Sequence, residues 1–595
     1  MQTIKKFWLK EAKKLYWSKF PTDSFDFKKN NKHIWFKNGK LNACFNAIDL
    51  NINRGLSKKI AIHFLNLKGE IKSFTYEELL KSINSFIYFL KNNINIKKIN
   101  KIMIHSSASI ESAVTMLSCA RLGITHSVIF EDLESEAIYK RLLVFKPDML
   151  ISRTSEARFK NTVIPAVNKY SKNFNKNKIK VFYFTEKINY KNVTSIDFKK
   201  IFFDKKNNIP HTKCKNVKSN KDLFALFTSG STGTPKGIVH STGGYLTYIK
   251  HSCKRQFGIN KKSTILTASD AGWINGHTYA LYGPLMLGAT SILLENPISI
   301  LDRKILEKII YKLNPTILYL PVTLIRLLKS LNNNNTAIKS NIEVIGSMGE
   351  PLAPRIGKWY SNFFNLKNKA IVNTYFQTET GAIISSPTFN DTRNISPHGT
   401  VGKAIKHLGV KIINKEIIIT NPWPGCMKNI LNEYSIWKSY WTESGFFKLF
   451  DTASLDDKKN IIINGRLDDV MNIRGHRIGS AEIESILLTI NSVIEVCAVS
   501  IKEELEGSVL ILFIVSNDPK EIIHNKLKKI LINNFGTFAL PKKVFILKEL
   551  PKTKSGKILR RILRNLLENN KTIDLSAISN KEAIADINNS INYTN

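Results

Sequence analysis

The chain has 595 residues, of which 43% are hydrophobic; this suits a folded protein of several domains and excludes a globally disordered one. Its formal net charge of +42 would suit a surface for nucleic acid or for an anionic membrane. The lysines are spread along the whole chain, however, without an Arg-rich arm or zinc-finger spacing, so drift in composition explains the charge better. We therefore expect no specific nucleic-acid partner.

The six cysteines are scattered, with no Cys-x-x-Cys pair. This pattern indicates neither a metal site nor a disulfide framework, and it suits a reducing cytoplasm. The N-terminus lacks an apolar signal region, and no uncharged apolar run reaches the roughly 18 residues that a membrane span needs. We therefore expect a soluble cytoplasmic protein without a membrane partner, whose oligomeric state stays open.

Residues 75–152 alternate between helical and strand patterns. Thr75 and Glu78 form a predicted capping box, which precedes apolar residues at helical spacing up to Leu90. A second predicted helix spans 110–122 and ends at Gly123, which suits a left-handed C-cap. The other predicted elements here are strands at 102–105, 127–130 and 149–152 and a helix at 135–143. Such a βαβαβ order predicts a parallel sheet with helices on its faces.

Similar alternation continues to about residue 410, where shorter strands such as 416–420 begin. After about residue 466 the pattern changes to that of a compact α+β unit. The predicted elements of this unit are helices at 481–488 and 520–532 and strands at 493–501, 509–515 and 544–547. The tail from about residue 569 is rich in Asn, Ser and Lys, so we expect at most a short helix there.

A segment rich in glycine and hydroxyl residues, 227–237, reads Phe-Thr-Ser-Gly-Ser-Thr-Gly-Thr-Pro-Lys-Gly and follows an apolar run. Glycines let backbone N–H groups approach a polyphosphate, hydroxyls add donors, and the lysine adds positive charge. The Walker A pattern is not met, because Pro235 stands at its second glycine position and Gly237 follows Lys236. The segment therefore predicts a phosphate-binding loop that differs from that of the P-loop NTPases.

Further motifs follow this loop along the chain. They are Gly346–Pro351, Asn373–Gly381, Asn464–Asp469, Gly475–Glu484 and Pro551–Lys557. Together with the loop, they resemble the adenylate-forming family of acyl-CoA synthetases, luciferases and peptide-synthetase adenylation domains. Within that family, Asp270–His277 and Leu550–Arg561 look like the acetyl-CoA and propionyl-CoA synthetases. The resemblance covers nearly the whole chain.

This resemblance implies an α/β fold with a large adenylate-forming N-terminal domain, built of parallel sheets with helices plus a small β subdomain. A small, mobile α+β domain would follow at the C-terminus. The expected divisions are an N-terminal cap segment at 1–60, an AMP-binding domain at 61–466, a C-terminal lid domain at 467–568 and a tail at 569–595. Asp468 matches the family's hinge, about which the lid would rotate.

The implied reaction is the ATP-dependent ligation of a short-chain carboxylate, acetate or propionate, to coenzyme A through an acyl-adenylate, with release of AMP and diphosphate. The implied cofactors are ATP and Mg²⁺, with coenzyme A as co-substrate and a small carboxylate as substrate. Three alternatives stay open. One is an adenylating enzyme with a different acyl acceptor or a longer acid, and another is a nucleotide-binding protein that has lost turnover. The third is a non-enzymatic role of the basic surface, which weak, salt-sensitive DNA binding would support.

The resemblance also implies roles for individual residues. Lys557 is the expected catalytic residue, which bridges the acyl carboxylate and the α-phosphate, and Glu379 is the expected Mg²⁺ ligand. Asp451 would accept hydrogen bonds from the ribose hydroxyls. The residues expected to bind ATP, coenzyme A or the acyl group are Thr228, Ser229, Gly230, Ser231, Thr232, Gly233, Lys236, Asn275, Gly349, Glu350, Pro351, Asn373, Thr374, Tyr375, Phe376, Gln377, Thr378, Asp451, Arg466, Arg474 and Arg477.

The match is weaker around the acyl group and coenzyme A. Phe376 stands where the acetyl branch usually has a larger tryptophan, and Met348 where valine is usual, so the two changes have opposite effects on the acyl chain length. On the coenzyme A side, Arg474 replaces a small serine and Ile532 replaces an arginine. The sequence therefore supports the adenylation step more firmly than the transfer to coenzyme A.

Overall fold

A computed structural model of the chain describes most of its residues. The described residues are 1–26, 31–173, 179–185, 190, 192–202, 209–228, 235–332, 337–431, 434–467, 470–473, 476–503, 507–553, 556–568 and 578–592. They form two large, mainly parallel sheets flanked by helices, a small antiparallel sheet and an α+β unit at the C-terminus. The fold class predicted from the sequence is thus confirmed.

The first large sheet has eight strands. In spatial order they are Val193–Ile196, Lys180–Phe184, Met149–Arg153, Lys101–Ser106, Thr125–Ile129, Asp222–Thr228, Lys236–Ser241 and Asn429–Leu431. The first six run parallel; Lys236–Ser241 runs antiparallel to them, and Asn429–Leu431 pairs antiparallel with Lys236–Ser241. The three strands predicted between residues 102 and 152 lie at the centre of this sheet. They are almost entirely buried, as expected of parallel strands covered on both faces.

The second large sheet has seven strands. In spatial order they are Val372–Asn373, Val344–Met348, Ile317–Pro321, Thr264–Thr267, Thr290–Leu294, Ile60–Leu65 and Ile71–Thr75. All are parallel except the last, which pairs antiparallel with its neighbour. Ligands bind beyond the carboxyl ends of such strands. That edge places the segment after Met348 next to the segment after Asn373.

The helices begin and end where local sequence signals predict. Thr75 caps the helix Tyr76–Asn93 through the predicted box with Glu78, and the helix Ile110–Leu122 ends at Gly123, whose φ is 69°. The other helices before residue 440 are Gln2–Ala12, Ser135–Phe145, Glu156–Arg158, Ile164–Asn173, Phe198–Phe202, Thr242–Phe257, Ile274–His277, Gly283–Met286, Arg303–Leu313, Val322–Leu331, Pro354–Phe363 and Tyr434–Ser439. Among the helices described, none has the length and apolar character needed to cross a membrane.

Shorter sheets complete the fold. The small antiparallel sheet contains Val410–Ile413, Glu416–Ile419, Phe447–Leu455 and Ile461–Arg466. Two-stranded pairs join Phe25–Asp26 to Ile34–Trp35 and Lys40–Leu41 to Val217–Lys218. The C-terminal unit has a hairpin of Val470–Ile473 and His476–Gly479, a sheet of Val493–Glu503, Gly507–Ser516 and Lys543–Ile546, and helices Ser480–Leu487, Lys520–Phe535, Arg560–Leu567 and Glu582–Asn592. All elements predicted for this unit are present; the four domain divisions stay a prediction.

A buried ion pair attaches the N-terminal segment to the helix Ile110–Leu122 beside the first sheet. The Arg121 side chain is fully buried, and its Nη1 and Nη2 donate to the two carboxylate oxygens of Asp49 at 2.8 and 3.0 Å. Cys44 and Cys214 lie beside this carboxylate with spacing that would suit a metal ion. The guanidinium group already lies among them, 3.5 Å from the Cys44 Sγ, so the arrangement fits an ion pair rather than a metal site.

Three buried histidines, His126, His240 and His277, surround the ring of Phe224. Their ring centres lie 5.8, 5.2 and 4.5 Å from it, and the rings of His126 and His277 stack in parallel at 5.5 Å. Burial lowers the pKa of His240 to about 4 and that of His277 to about 3, and it lowers the pKa of His126 well below its usual value. All three rings therefore stay neutral in the folded protein at neutral pH.

We expect the free energy of unfolding to decrease as the pH falls from about 6.5 to about 5. In this window the unfolded chain protonates its histidines, whose usual pKa is about 6.5, while the three buried rings stay neutral. Each buried ring then lowers the free energy of unfolding by up to about 1.4 kcal/mol for each pH unit of the decrease. Denaturant titrations across the window measure this slope, which His240→Gln should reduce. A stability that does not change over the window contradicts the prediction.

Candidate active site

The predicted phosphate loop connects two paired strands of the first sheet. Asp222–Thr228 pairs antiparallel with Lys236–Ser241, so that Thr228 lies opposite Lys236 at the loop end of the pair. Both residues are partly exposed. The other residues assigned to this loop lie outside the described part of the chain, and their roles stay predictions: Ser229, Gly230, Ser231, Thr232 and Gly233.

A buried carboxylate, Asp451, is the centre of a hydrogen-bonded cluster on the small sheet. Its Oδ2 accepts hydrogen bonds from the Tyr375 hydroxyl at 2.5 Å and from the Gln377 Nε2 at 2.7 Å. Its Oδ1 lies 3.4 Å from the Nη1 of Arg466, which is paired with Asp451 on the neighbouring strand. The predicted segment 373–378 is thereby joined to the small sheet. We call these four residues the Asp451 cluster.

The charge of Asp451 depends on opposing influences. Burial raises the pKa of this carboxyl group above its usual value. The positive charges of Arg466 and Lys557 and the hydrogen bonds from Tyr375 and Gln377 act in the opposite direction and favour the carboxylate. The contribution of Lys557 is the smallest of these, and it comes from the C-terminal unit.

Lys557 lies on a tight turn of the C-terminal unit that reaches the second sheet's helices. The neighbouring Gly556 has a φ of 81°, and a Cβ added to it would lie 2.4 Å from the Oγ1 of Thr323. Only glycine permits this approach. Thr323 lies in the first turn of the helix Val322–Leu331, which starts at the carboxyl edge of its sheet. The exposed Lys557 is thus held at the edge where ligands are expected.

Glu379, the predicted metal ligand, is 8% exposed and lies in the single turn Thr378–Thr380. Its Oε1 accepts a hydrogen bond from the Tyr440 hydroxyl at 2.6 Å. Burial and the neighbouring carboxylate raise the pKa of Tyr440, so the phenol remains a donor. The Nζ of Lys236 lies 5.8 Å from the centre of the Tyr440 ring. Tyr440 therefore lies between Glu379 and Lys236, the lysine that ends the predicted phosphate loop.

The backbone is strained immediately before Asp451. Phe450 has a φ of 55°, in the left-handed region that costs a residue with a Cβ about 1–2 kcal/mol. Its ring meets the ring of Tyr440 edge-on at 5.2 Å. This packing connects the Asp451 cluster to the Glu379 side of the site.

The segment 349–351, whose three residues are among the predicted ligand-binding positions, follows a strand of the second sheet. Gly349 is exposed with a φ of 90°, and no described atom lies within 4 Å of the position of a Cβ. Glu350 forms an ion pair with Arg326, whose side chain is 6% exposed, and Pro351 is exposed. The backbone of Gly349 is open next to the Glu350–Arg326 ion pair, and such a surface suits packing against a planar base.

Three other predicted residues are bonded within the protein. The Asn373 amide accepts from the Ser347 hydroxyl at 2.9 Å and donates to a main-chain carbonyl at 2.8 Å. The Thr374 hydroxyl donates to the Ser347 carbonyl at 2.8 Å, and the Thr378 carbonyl accepts from the Nε2 of His240 at 2.7 Å. These bonds position the segment; direct contact of the three residues with a ligand stays a prediction.

Phe376 and Asn275 lie on two segments that pack together. The Tyr279 ring meets Phe376 edge-on at 5.8 Å, and its hydroxyl accepts from the Ile383 N–H at 3.1 Å. Asn275 lies one helical turn before Tyr279, on the same face. Its Oδ1 is buried and has no hydrogen-bond partner among the residues described. A ligand that donates a hydrogen bond would satisfy it.

The remaining predicted positions lie in the hairpin after the small sheet. Arg474 and the hinge residue Asp468 lie outside the described residues. Arg477 lies in the strand His476–Gly479, and its contact with the nucleotide stays a prediction.

Sequence reasoning did not find Tyr440 or His240. Tyr440 lies in an aromatic run that also contains Trp437 and Trp441, and this run was the available signal. Nothing in the sequence distinguishes His240 from any other buried histidine, because its hydrogen-bond partner, the Thr378 carbonyl, lies far away in the chain.

Models of three protein families match the chain. They are AMP-binding enzyme over residues 52–420, AMP-binding enzyme C-terminal domain over residues 482–557, and acetyl-coenzyme A synthetase N-terminus over residues 1–47. The chain belongs to the AMP-binding enzyme family. The matched family models cover both the part with the large sheets and the C-terminal unit that carries Lys557.

Curated relatives of this AMP-binding enzyme match it along nearly its whole length. It is 30% identical to the acetyl-coenzyme A synthetase of Streptomyces avermitilis, over 97% of this chain and 91% of that protein. It is 32% identical to the acetyl-coenzyme A synthetase of Helicobacter pylori strain P12, over 98% of this chain and 92% of that protein.

Solved structures show the same fold. The acetoacetyl-CoA synthetase from Streptomyces lividans superposes with a TM-score of 0.82 at 16% identity, over 100% of this chain and 93% of that one. A benzoate CoA ligase from Burkholderia xenovorans LB400 superposes with a TM-score of 0.72 at 19% identity, over 88% of this chain and 100% of that one. The AMP-binding enzyme therefore shares the complete architecture of such proteins.

We expect Tyr375→Phe to weaken AMP binding by about tenfold, because a hydrogen bond to a charged group contributes about 1.5–3 kcal/mol and holds Asp451 in place. Calorimetric titration with AMP measures the affinity. Tyr245→Phe is the matched control: Tyr245 is also buried, and its hydroxyl bonds with Thr278 at 2.7 Å, outside the Asp451 cluster. Equal AMP affinities for the two variants would contradict the prediction.

Proposed function

We propose that this AMP-binding enzyme ligates acetate, or another short-chain carboxylate, to coenzyme A through an acyl-adenylate, with release of AMP and diphosphate. One observation carries the proposal: the turn that carries Lys557 packs through Gly556 against Thr323, at the edge of the second sheet where ligands are expected. The Asp451 cluster and the C-terminal unit thereby contribute to one proposed site. The relatives that the chain matches over 91% and 92% of their own lengths are acetyl-coenzyme A synthetases, which supports acetate as the acid.

In the first half-reaction a carboxylate oxygen of the acid attacks the α-phosphorus of ATP. A new P–O bond forms, the bond from the α-phosphorus to its bridging oxygen breaks, and diphosphate leaves with that electron pair. Both reactants are anions, so positive charge fixed in advance lowers the barrier. Lys557 supplies this charge at the point of attack, and Lys236 supplies it beside the phosphate loop.

Asp451 suits the ribose of the nucleotide. An ionised carboxylate only accepts hydrogen bonds, and ribose hydroxyls donate them. Tyr375 and Gln377 both occupy Oδ2, so Oδ1, which lies beside Arg466, is the oxygen better placed for a ribose hydroxyl. The adenine ring would then lie against the open backbone face of Gly349.

Glu379 suits a magnesium ion that arrives with ATP. Mg²⁺ is usually held by one or two protein carboxylates and by phosphate oxygens, rather than by a cage of protein ligands. Glu379 offers one buried carboxylate near the phosphate loop, and Tyr440 orients it. When bound, the ion would neutralise phosphate charge. The residues of this chain fix where the ion and the phosphates meet.

In the second half-reaction the thiolate of coenzyme A attacks the acyl carbonyl carbon, so that a C–S bond forms and the C–O bond to AMP breaks. At this stage no carboxylate attacks a phosphate, so Lys557 has no pair of reacting anions to neutralise. We propose that the C-terminal unit then rotates about Asp468 and moves Lys557 out of the site. The acyl group would lie between Phe376 and Asn275. Arg474 is the proposed contact for a coenzyme A phosphate, since arginine pairs well with phosphate.

We also propose that the reaction takes place in a reducing cytoplasm. All six cysteines are free thiols in the structure, as such a compartment requires.

The net charge of +42 would contribute a diffuse attraction for ATP and coenzyme A, which are both anions.

ATP–diphosphate exchange tests the proposal. We expect exchange with acetate, and weaker exchange with propionate, butyrate and acetoacetate, because each added methylene changes the pocket energy by about 1–3 kcal/mol. Adding coenzyme A should yield the thioester and AMP. An enzyme that exchanges with none of these acids contradicts the proposal; exchange without thioester formation would indicate a different acyl acceptor.

Lys557→Ala should abolish most of the exchange activity, by about a hundredfold or more, as expected for loss of a preorganised charge in the transition state. The same variant should still convert supplied acyl-AMP and coenzyme A to the thioester. Lys548→Ala provides the control, because Lys548 is an exposed lysine of the same unit. Equal loss of both half-reactions in Lys557→Ala would exclude a role confined to adenylation.

A further inference from the structure

Lys557 lies on a short hairpin. Lys552 and Ile558 form an antiparallel bridge, the Leu559 N–H donates to the Pro551 carbonyl at 2.9 Å, and the Thr553 N–H donates to the Lys557 carbonyl at 2.9 Å. A two-stranded hairpin by itself is only marginally stable in water, even with such internal bonds. The position of Lys557 therefore depends also on outside contacts: that of Gly556 with Thr323 at the tip, and those that hold the outer strand at the base.

Two residues of the tail, Ser579 and Asn580, hold that strand. The backbone N–H and the hydroxyl of Ser579 both donate to the Lys552 carbonyl, at 2.8 and 3.0 Å. The Asn580 side chain accepts from the Lys552 N–H at 2.9 Å and donates to the Leu550 carbonyl at 2.9 Å. The pair thus bonds the backbone much as a third strand would. We call Ser579 and Asn580 the tail clamp.

The tail clamp is anchored in the core of the C-terminal unit. Ala583, Ile587 and Ile591 recur at every fourth position of the helix Glu582–Asn592, so they lie on one face. All three are buried, and Ile587 and Ile591 share a hydrophobic cluster with Leu550. The helix that follows the clamp is therefore fixed to the strand that the clamp binds.

Two ion pairs lie next to the tail clamp, one at Lys552 and one at Lys581. The Nζ of Lys552 lies 2.6 Å from the Oε1 of Glu495, whose side chain is 3% exposed. Lys581, the residue after the clamp, lies 3.4 Å from Glu134 at the start of a helix on the first sheet. The tail therefore contacts the N-terminal part of the chain in the same arrangement that brings Lys557 to Asp451.

We propose that the tail clamp positions Lys557 for adenylation, by holding the base of its hairpin so that the ammonium group reaches the reacting carboxylate and α-phosphate. This inference rests on the proposed function. The clamp acts through the hairpin and contacts no substrate, so Ser579 and Asn580 are positioning residues. The matched C-terminal family model ends at residue 557, ahead of the clamp.

Asn580→Ala tests the proposal, because it removes both side-chain bonds. We expect ATP–diphosphate exchange to fall about tenfold, from the loss of two hydrogen bonds, while thioester formation from supplied acyl-AMP stays within about twofold, since that step does not use Lys557. Ser579→Ala keeps its backbone bond and should show a smaller loss. Asn588→Ala makes the same change at an exposed position of the following helix and should leave both half-reactions unchanged.

A second measurement separates positioning from stability. In a Lys557→Ala background, Asn580→Ala should cause no further loss of exchange, because the residue through which it acts is already gone. An additional tenfold loss there would overturn the proposal. So would a parallel loss of both half-reactions, accompanied by a lower melting temperature, in the single variant.

The two proposals fail in different ways. If the unmodified enzyme exchanges diphosphate with none of the acids, the proposed function is wrong. If it does exchange, and Asn580→Ala exchanges at the unmodified rate, the proposed function stands and the tail clamp has no positioning role.

Discussion

The site depends on one buried carboxylate. Asp451 is 6% exposed, and a charge at that depth is stable only with several donors around it. Tyr375 and Gln377 supply two of them, Arg466 supplies a positive charge, and Lys557 adds another from the C-terminal unit. These partners come from three different segments, so satisfying this one charge brings the parts of the site together.

The burial of Asp451 also explains why the positive charges of Arg466 and Lys557 matter. Burial raises the pKa of Asp451, and the nearby positive charges and hydrogen bonds oppose that shift. Positive charge brought near Asp451 therefore stabilises the ionised form that its proposed role toward the ribose requires. Nucleotide binding and the approach of the C-terminal unit would favour each other for this electrostatic reason.

Much of the fold followed from local signals. The capping box at Thr75, the left-handed glycine at Gly123 and the strands around residues 102–152 were all predicted and are confirmed, because each depends on residues within one or two turns of the chain. The site was predicted only as motif members. The hydrogen bond from Tyr440 to Glu379 and the strain at Phe450 were not foreseen, since each depends on packing between distant segments.

The sequence by itself determined most helices and strands and the family, and it predicted the phosphate loop and the residue types of an adenylate-forming site. Only the tertiary structure decided which polar groups are already bonded within the protein, such as the amide of Asn373, and which face open space, such as the backbone of Gly349. It alone joined Asn580 of the tail to the backbone of Lys552. The physical reason is that burial and hydrogen-bond partners are properties of contacts between residues far apart in the chain, which no local pattern encodes.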